Sequence, residues 1–367
     1  MSFPFPTYTI DAASGFERGM QHGTAARDQV AVSIETYRRL FHDFVGIEWA
    51  DALAQGEAYA EGIARFDEEL LEEIRGIAAG SGFDMAAILA LNARSEIGLG
   101  PRMIDGCTAL AAFGSATVAG RTILCQNWDW RASQRDAFVA LLVRRPDKPA
   151  FTMLTEAGIV GKIGLNDRGL GVCLNAIVTD ELRPDGTPLH VVLRGILESR
   201  NLGEAIETVA GASIASAANF LVAQHGVGAV DIEAVPSRVD VLLPDADLLV
   251  HTNHLQSQRL AGVNDLAVNV LPDSYPRLAR ARQLAADRHG RLDVEGVQEI
   301  LRDHANEPDG ICRHEDLIGD PDGKRLQSVF SVIMDLQDQR LSVTDGPPCS
   351  SAYSELASEP QHAGVVR

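Results

Sequence analysis

The hydrophobic pattern of this chain changes at one place, and that change limits what it can fold into. Up to Asp105-Gly106 the apolar residues recur at helical spacing; from Cys107 they fall into short β-like runs. The seam lies in "RMIDGCTALAAF", residues 102–113. Before it, a helical region runs from about Ala25, with Val30, Ile34, Leu40 and Phe44 on one side. A second spans 51–82 and stops at Gly80-Ser81-Gly82, and a third spans 84–97 with Asp84 as its N-cap. After it come "CTALAAF", "TILCQNWDW", "AFVALLVRR", "AFTMLTEAG" and "KIGLNDRGLGVCLNAI", separated by Gly, Asn and Asp. Two helical segments, "PLHVVLRGILES" and "NLGEAIETVAG", precede the strands "ANFLVAQHG", "VDIEAVPS" and "RVDVLLPDADLLVHTNH". Two more helices, "SYPRLARARQLAADRHG" and "DVEGVQEILRDHA", lead to a closing hairpin, "SVFSVIMDLQDQRLSVTDG". Strands in blocks between helices predict antiparallel sheets layered with helices, not strict β-α-β alternation. At 367 residues the chain can bury one large core or two medium ones.

Charge and cysteine usage exclude several functions. A net charge of −19 argues against nucleic acid and anionic membrane as partners. Acids outnumber bases about two to one over residues 1–106, as a solvated outer face would. No run of 18 apolar residues is present, so no membrane span is expected. "MSFPFPTYTI" lacks the basic and apolar parts of a secretory leader. Five scattered cysteines, none in a Cys-x-x-Cys pair, predict reduced thiols and a cytoplasmic protein.

An arbitrary cysteine at a strand start is a small buried hydrophobe. Three features set Cys107 apart. Gly106 leaves its carbonyl open to a neighbouring thiol and tolerates a strained backbone. The junction separates a helical segment from a sheet. Finally, a cut there would free a Cys α-amino group of pKa about 7.7–8.0, able to deprotonate its own thiol without a catalytic histidine.

"DGCTAL" followed by "CQNWDW" resembles the penicillin acyltransferase (isopenicillin N acyltransferase) family of self-processing N-terminal-nucleophile proteins, and more distantly bile-salt hydrolases, penicillin V acylases and acid ceramidases. The resemblance covers nearly the whole chain. "ERGMQHG" and "LNARSEI" match the pro-segment; "AANFLVA", "LLVHTNH", "DSYPRLARARQL", "LRDHANEPDGICRH", "SVFSVIMDL" and "VTDGPPC" follow in order. It implies an α+β fold, a four-layer α-β-β-α sandwich, with residues 1–106 as a helical pro-segment retained as an α chain and 107–367 as the catalytic β chain. It implies cleavage between Gly106 and Cys107, with Cys107 as nucleophile. Asp129 orients the Cys amino group, Asn175 donates to the oxyanion, Asn219 is a second asparagine near the nucleophile, and Arg325 lowers the thiol pKa. Arg313 is the weaker arginine match, and an ordinary surface ion pair is expected there. Cys125 stands where relatives have glycine and is expected to fill space only. "GSATVAGR", between Cys107 and Asp129, is longer than in the fungal acyltransferase.

The implied chemistry is acyl transfer from a small-molecule amide through a Cys thioester. With water as acceptor the protein is an amidohydrolase, the preferred reading because the sequence shows no acceptor pocket. With an amine acceptor it is an N-acyltransferase using acyl-CoA and a 6-aminopenicillanic acid-type amine. A self-cleaved binding protein without turnover is a third reading. No cofactor and no metal are expected; a homo-oligomer is compatible with the sequence. A zinc site from His251, His254, Cys312 and His314 is a rival, but His spacing of three is common and a strand puts 251 and 254 on opposite faces. The Gly158/Gly161/Gly164 series is followed by a β-like run and is no dinucleotide fingerprint. The local signature of a papain-like cysteine is absent.

Overall fold

A computed structural model describes residues 3–98, 105–315 and 326–356. In chain order the elements are β1 (Thr7–Asp11), α1 (Gly15–Ala25), α2 (Arg27–Leu40), α3 (Trp49–Ala58), α4 (Ala60–Phe66), α5 (Glu68–Ser81), α6 (Met85–Asn92), α7 (Arg94–Ile97), β2 (Gly106–Ala112), β3 (Ile123–Trp130), β4 (Phe138–Arg144), β5 (Phe151–Glu156), β6 (Ile163–Asn166) and β7 (Leu170–Ala176). They continue with α8 (Leu189–Leu197), α9 (Leu202–Gly211), β8 (Ala218–Gln224), β9 (Gly228–Val235), β10 (Arg238–Leu242), β11 (Leu248–His251), α10 (Ala267–Val270), α11 (Ser274–Asp287), α12 (Val294–Leu301), β12 (Gln327–Asp335), β13 (Arg340–Val343) and β14 (Ser354–Glu355).

The strands form two sheets, β1-β4-β5-β6-β7-β8-β9-β10 and β11-β2-β3-β12-β13-β14. The sheets pack face to face through β2, β3 and β11 on one side and β7, β8 and β9 on the other. Helices α8 and α9 cover the outside of the larger sheet, and α11 and α12 cover the smaller. This is the α-β-β-α layering expected. Alternation along β2 and β3 decides which core each side chain joins. Ala109, Ala111, Leu124 and Trp128 point between the sheets; Leu110, Ala112, Ile123 and Cys125 point to the α11–α12 layer. Cys125 is packing, as expected, its thiol 3.5 Å from the Leu110 carbonyl. No helix among the described residues is long and apolar enough to cross a membrane.

The segment before Cys107 differs from the expected mostly helical stretch beginning near residue 25. Strand β1 pairs in parallel with β4, Thr7 against Ala140 through Asp11 against Arg144, and so forms the edge of the larger sheet. Helix α1 follows, and its glycines hid it, because Gly is a poor helix former. Those glycines instead let α1 lie directly on α5. A Cβ at Gly19 would sit 1.9 Å from the Glu73 carbonyl oxygen, and one at Gly76 2.1 Å from that of Phe16.

The same helices bury charge. Glu73 of α5 takes Arg18 of α1 at 3.0 Å and both terminal nitrogens of Arg194 of α8, at 2.8 and 2.9 Å. Burial alone would raise the Glu73 carboxyl; these two cations hold it below its ordinary value. Leaving any member unpaired would cost several kcal/mol. Beside them, His22 accepts the Gly158 N–H at 3.1 Å, and burial pushes its imidazole down to about 4. The unfolded chain therefore takes up this proton near pH 6.5 and the folded chain only near about 4. Stability contributed by neutral His22 is present above pH 6.5 and falls as pH drops through that window. We expect urea denaturation to show a loss of about 2 kcal/mol from this residue between about pH 7 and about pH 5. His22→Gln, whose amide oxygen can accept the same bond, should flatten that part of the profile; an unchanged slope would remove His22 as its source.

Candidate active site

Cys107 is the second residue of β2 and is buried. Its backbone is held from two sides. The N–H donates to Asn253 Oδ1 at 2.9 Å, and the carbonyl accepts from Arg277 Nη1 at 2.6 Å. Arg277 also donates to Thr108 Oγ1 at 3.0 Å and to Asn253 Oδ1 at 2.9 Å. Asn253 Nδ2 donates to the carbonyls of Asp105, at 3.2 Å, and Ala176, at 3.0 Å. One amide therefore ties both sides of the Gly106 residue to β7. Sequence reading missed Asn253 and Arg277, although both sit in the quoted segments "LLVHTNH" and "DSYPRLARARQL". What picks them out is three-dimensional: both reach the main chain of Cys107.

The pleat separates the two functional ends of Cys107. Its register partner on β3 is Trp128, so its thiol points between the sheets. Gly106 pairs with Asp129, and that pair faces the α11–α12 side. Asp129 is fully buried, not an exposed strand end. Its Oδ1 accepts the Ser328 hydroxyl at 2.7 Å, while the buried Oδ2 has no hydrogen-bond donor among the described residues. Burial pushes this carboxyl above its ordinary value, against the pull of Arg313, Arg277 and Ser328.

This position explains Gly106. A Cβ there would lie 2.9 Å from Asp129 Oδ2 and 3.0 Å from Asp129 Cβ. Gly106 is not among the residues with positive φ, so the backbone strain raised from the sequence is not its reason. The glycine makes room for the carboxylate beside the peptide.

Arg313 is buried, which overturns the surface ion pair expected there. Its Nε lies 3.6 Å from Asp129 Oδ2, and its Nη2 donates to Asp273 Oδ2. Asp273 in turn accepts Arg277 Nε at 2.8 Å. Asp129, Arg313, Asp273 and Arg277 thus form a chain of alternating charge that ends on the Cys107 carbonyl. Arg325 lies outside the described residues; among these, Arg277 is the cation acting on the thiol. Burial, with the Asp105 and Asp129 carboxylates, pushes that thiol up to about 12, while Arg277 and the Ala176 N–H pull it down. At neutral pH it is a protonated thiol, not a thiolate.

Asn175 and Asn219 are register partners on β7 and β8. Asn219 Nδ2 donates to Asn175 Oδ1 at 3.2 Å and to Asp231 Oδ1 at 2.8 Å. That bond fixes which end of the Asn175 amide is the acceptor. Among the described residues its NH₂ then reaches only the His251 carbonyl, at 3.4 Å. Asn175 shares a strand face with Cys173, whose thiol is influenced by Cys107 and Cys125 across the sheets. The neighbouring Ala176 N–H acts to lower the Cys107 thiol. The bonds of the two asparagine side chains go to each other, Asp231 and the His251 carbonyl, not to Cys107. Two of the three histidines considered as ligands are occupied otherwise: His251 faces Glu233 Oε1 at 2.8 Å and the Thr252 carbonyl at 2.9 Å, and His254 stacks on Tyr275.

The helical segment before Gly106 reaches the other flank. Arg94 pairs with Asp105 at 3.1 Å, and Trp128 Nε1 donates to the same carboxylate at 3.0 Å. Lys162 Nζ sits 3.6 Å from the Trp128 ring centroid and 2.6 Å from Glu156 Oε2. Burial and Arg94 push the Lys162 ammonium down to about 8, against the pull of Glu156.

The sequence matches the family described as acyl-coenzyme A:6-aminopenicillanic acid acyl-transferase over residues 117–346. It is 30% identical over 343 residues to the acyl-coenzyme A:6-aminopenicillanic-acid-acyltransferase 40 kDa form of Emericella nidulans, covering 90% of each chain. Among solved structures it is similar to penicillin V acylase from Agrobacterium tumefaciens, with 10% identity, TM-score 0.45 and coverage of 65% of this chain and 83% of that one. It is also similar to a mutant form of conjugated bile acid hydrolase from Clostridium perfringens, with 12% identity, TM-score 0.47 and coverage of 69% and 97%.

The contact between Asp129 and Gly106 can be tested directly. Gly106→Ala should fold but drive the Asp129 carboxylate from its place, slowing any cut at 106–107 by roughly 10²-fold, the usual effect of misplacing a group by about 1 Å. Cleavage followed by gel at the wild-type rate would show that Asp129 need not sit there.

Proposed function

Because the chain belongs to the acyl-coenzyme A:6-aminopenicillanic acid acyl-transferase family, we propose that it is a self-processing, N-terminal-cysteine enzyme that cleaves a small-molecule N-acyl amide through a thioester. The observation that carries this reading is the arrangement around one peptide bond. The Gly106–Cys107 linkage has a thiol on one face of β2 and, on the other, a buried carboxylate oxygen with no donor among the described residues.

In processing, the Cys107 sulfur adds to the Gly106 carbonyl and the C–N bond breaks. The amine leaves with a proton, and water hydrolyses the resulting thioester. The pro-segment stays bound as an α chain, because Arg94, Glu73 and Glu96 are buried against residues of the β chain. The new α-amino group keeps Asn253 Oδ1 as one acceptor and gains Asp129 Oδ2 as a second, which holds it in one rotamer. Its pKa of about 7.7–8.0 suits it to take the thiol proton near neutrality. The thiolate then attacks the substrate carbonyl. Asn175, oriented by Asn219, donates to the oxyanion, and Arg277 stabilises charge at the nucleophile. Arg325 remains a further candidate cation. The site needs reduced Cys107, in keeping with a cytoplasmic zymogen whose five cysteines are all free.

Water is the proposed acceptor of the acyl group. A second reading, transfer from acyl-CoA to an amine, is favoured by the activity for which the Emericella nidulans relative is named. Both readings share one acyl-enzyme and differ only in what resolves it.

Mass spectrometry should find chains of 106 and 261 residues that co-purify under native conditions, and Cys107→Ala should remain intact. A cleaved Cys107→Ala protein would assign the cut to another protease. With processing established, Asn175→Ala should lose roughly 10²–10³-fold in amide turnover; a drop below about threefold would remove Asn175 from the oxyanion site. Free acid should be the main product with millimolar 6-aminopenicillanic acid present. A majority of new amide would replace the hydrolase reading with the transferase one.

A further inference from the structure

Away from Cys107, the fold gathers four side chains that the proposed chemistry does not use. His304 follows α12. Cys312 and His314 flank Arg313 in the loop before β12. Cys349 sits in the turn after β13. One ligand atom from each lies within 4.8 Å of all the others. His314 Nε2 is 3.0 Å from His304 Nε2, 3.5 Å from Cys312 Sγ and 3.3 Å from Cys349 Sγ.

Hydrogen bonding does not account for this convergence. A neutral imidazole nitrogen carries either one proton or one lone pair, so Nε2 can serve one such partner, not three. A metal ion at the centre serves all four. With metal–nitrogen bonds of about 2.0–2.1 Å and metal–sulfur bonds of about 2.3 Å, a tetrahedron has edges of about 3.3 Å between nitrogens and about 3.5 Å between nitrogen and sulfur. The three distances match this to a few tenths of an ångström. The segments are also held in place independently of any ion. The Cys312 N–H donates to the Asp303 carbonyl at 3.0 Å, the His314 N–H to the Pro308 carbonyl at 3.2 Å, and Arg302 Nε to the Pro348 carbonyl at 2.9 Å.

We propose that His304, Cys312, His314 and Cys349 form a four-coordinate zinc site that clamps the 303–314 loop to the 346–351 turn. Two thiolates balance the dication, and two neutral imidazoles complete a closed shell with no position for substrate, so the role is structural. The clamp bears on the reaction centre through one residue. Arg313 lies between two ligands and reaches Asp129 and Asp273, so the ion fixes its backbone on both sides. His304 and Cys349 are exposed, which gives the metal a way in. Of the four histidines and cysteines that the sequence offers as ligands, only Cys312 and His314 belong here; His304 and Cys349 join them through the fold.

The full-length protein, purified without a metal-affinity tag or chelator, should contain one equivalent of zinc by elemental analysis. Cys107→Ala should keep it. His304→Ala and Cys349→Ser should each lose most of it. Should a variant fail to fold, the wild-type chain stripped with a chelator provides the reading: one equivalent of cobalt(II) should give thiolate-to-metal charge transfer and tetrahedral d–d bands, displaced by zinc. Less than a tenth of an equivalent of zinc together with no cobalt spectrum, iron or copper in zinc's place, full zinc retention by the His304→Ala/Cys349→Ser double variant, or a Cys312–Cys349 disulfide in the purified protein would each overturn the proposal.

Discussion

The room that Gly106 leaves for the Asp129 carboxylate, where a Cβ would lie 2.9 Å from Oδ2, is the constraint on which the packing around Cys107 depends. It needs three things together: a residue without a side chain at 106, an antiparallel register placing 106 opposite 129, and a carboxylate kept dry by the α11–α12 layer. The last is costly. A buried carboxylate persists only with compensation, and Asp129 has one hydroxyl and one guanidinium at 3.6 Å. The compensation passes along Arg313 and Asp273 to Arg277, and Arg277 spends its other nitrogens on the Cys107 carbonyl, Thr108 and Asn253. The groups that neutralise Asp129 are therefore the groups that hold the Cys107 backbone.

A strand separates the two sides of Cys107. Successive residues of β2 point to opposite faces, so Gly106 shares a face with Asp129 while the Cys107 thiol faces β7. The amine and the thiol of one residue can then meet different partners. The same geometry gives the intact chain a thiol raised to about 12, a poor nucleophile until a base is present beside it.

The segment before Cys107 is part of this arrangement. It supplies an edge strand, a glycine-faced helix pair and several buried charges whose partners lie beyond residue 106. Separating it would leave Glu73 or Arg194, and Arg94 or Glu156, unpaired in a low-dielectric interior. That is a strong physical reason for the two parts to stay together whether or not the peptide between them is intact.

Much of this was legible in the sequence. The period change at residue 106 marked the seam, the β-like runs became β2 through β7, and the closing hairpin is β12–β13. Cys107, Asp129, Asn175 and Asn219 stood in recognisable local patterns, and strand alternation and turn residues are local properties. The misses share one cause. Helix α1 was hidden because its glycines serve contact with α5, not helix propensity. Arg313 looked like a surface cation because a sequence does not say what covers a residue. Asn253 and Arg277 lie 146 and 170 residues from Cys107, and no local pattern assigns either to it. His304 and Cys349 become neighbours only when the loop before β12 and the turn after β13 close on each other. The sequence by itself determined the strands after residue 106 and the seam before them, because these follow from short-range periodicity and residue chemistry. The tertiary structure alone decided which charges are buried together and which atoms converge, because register and layer packing bring distant residues within bonding distance.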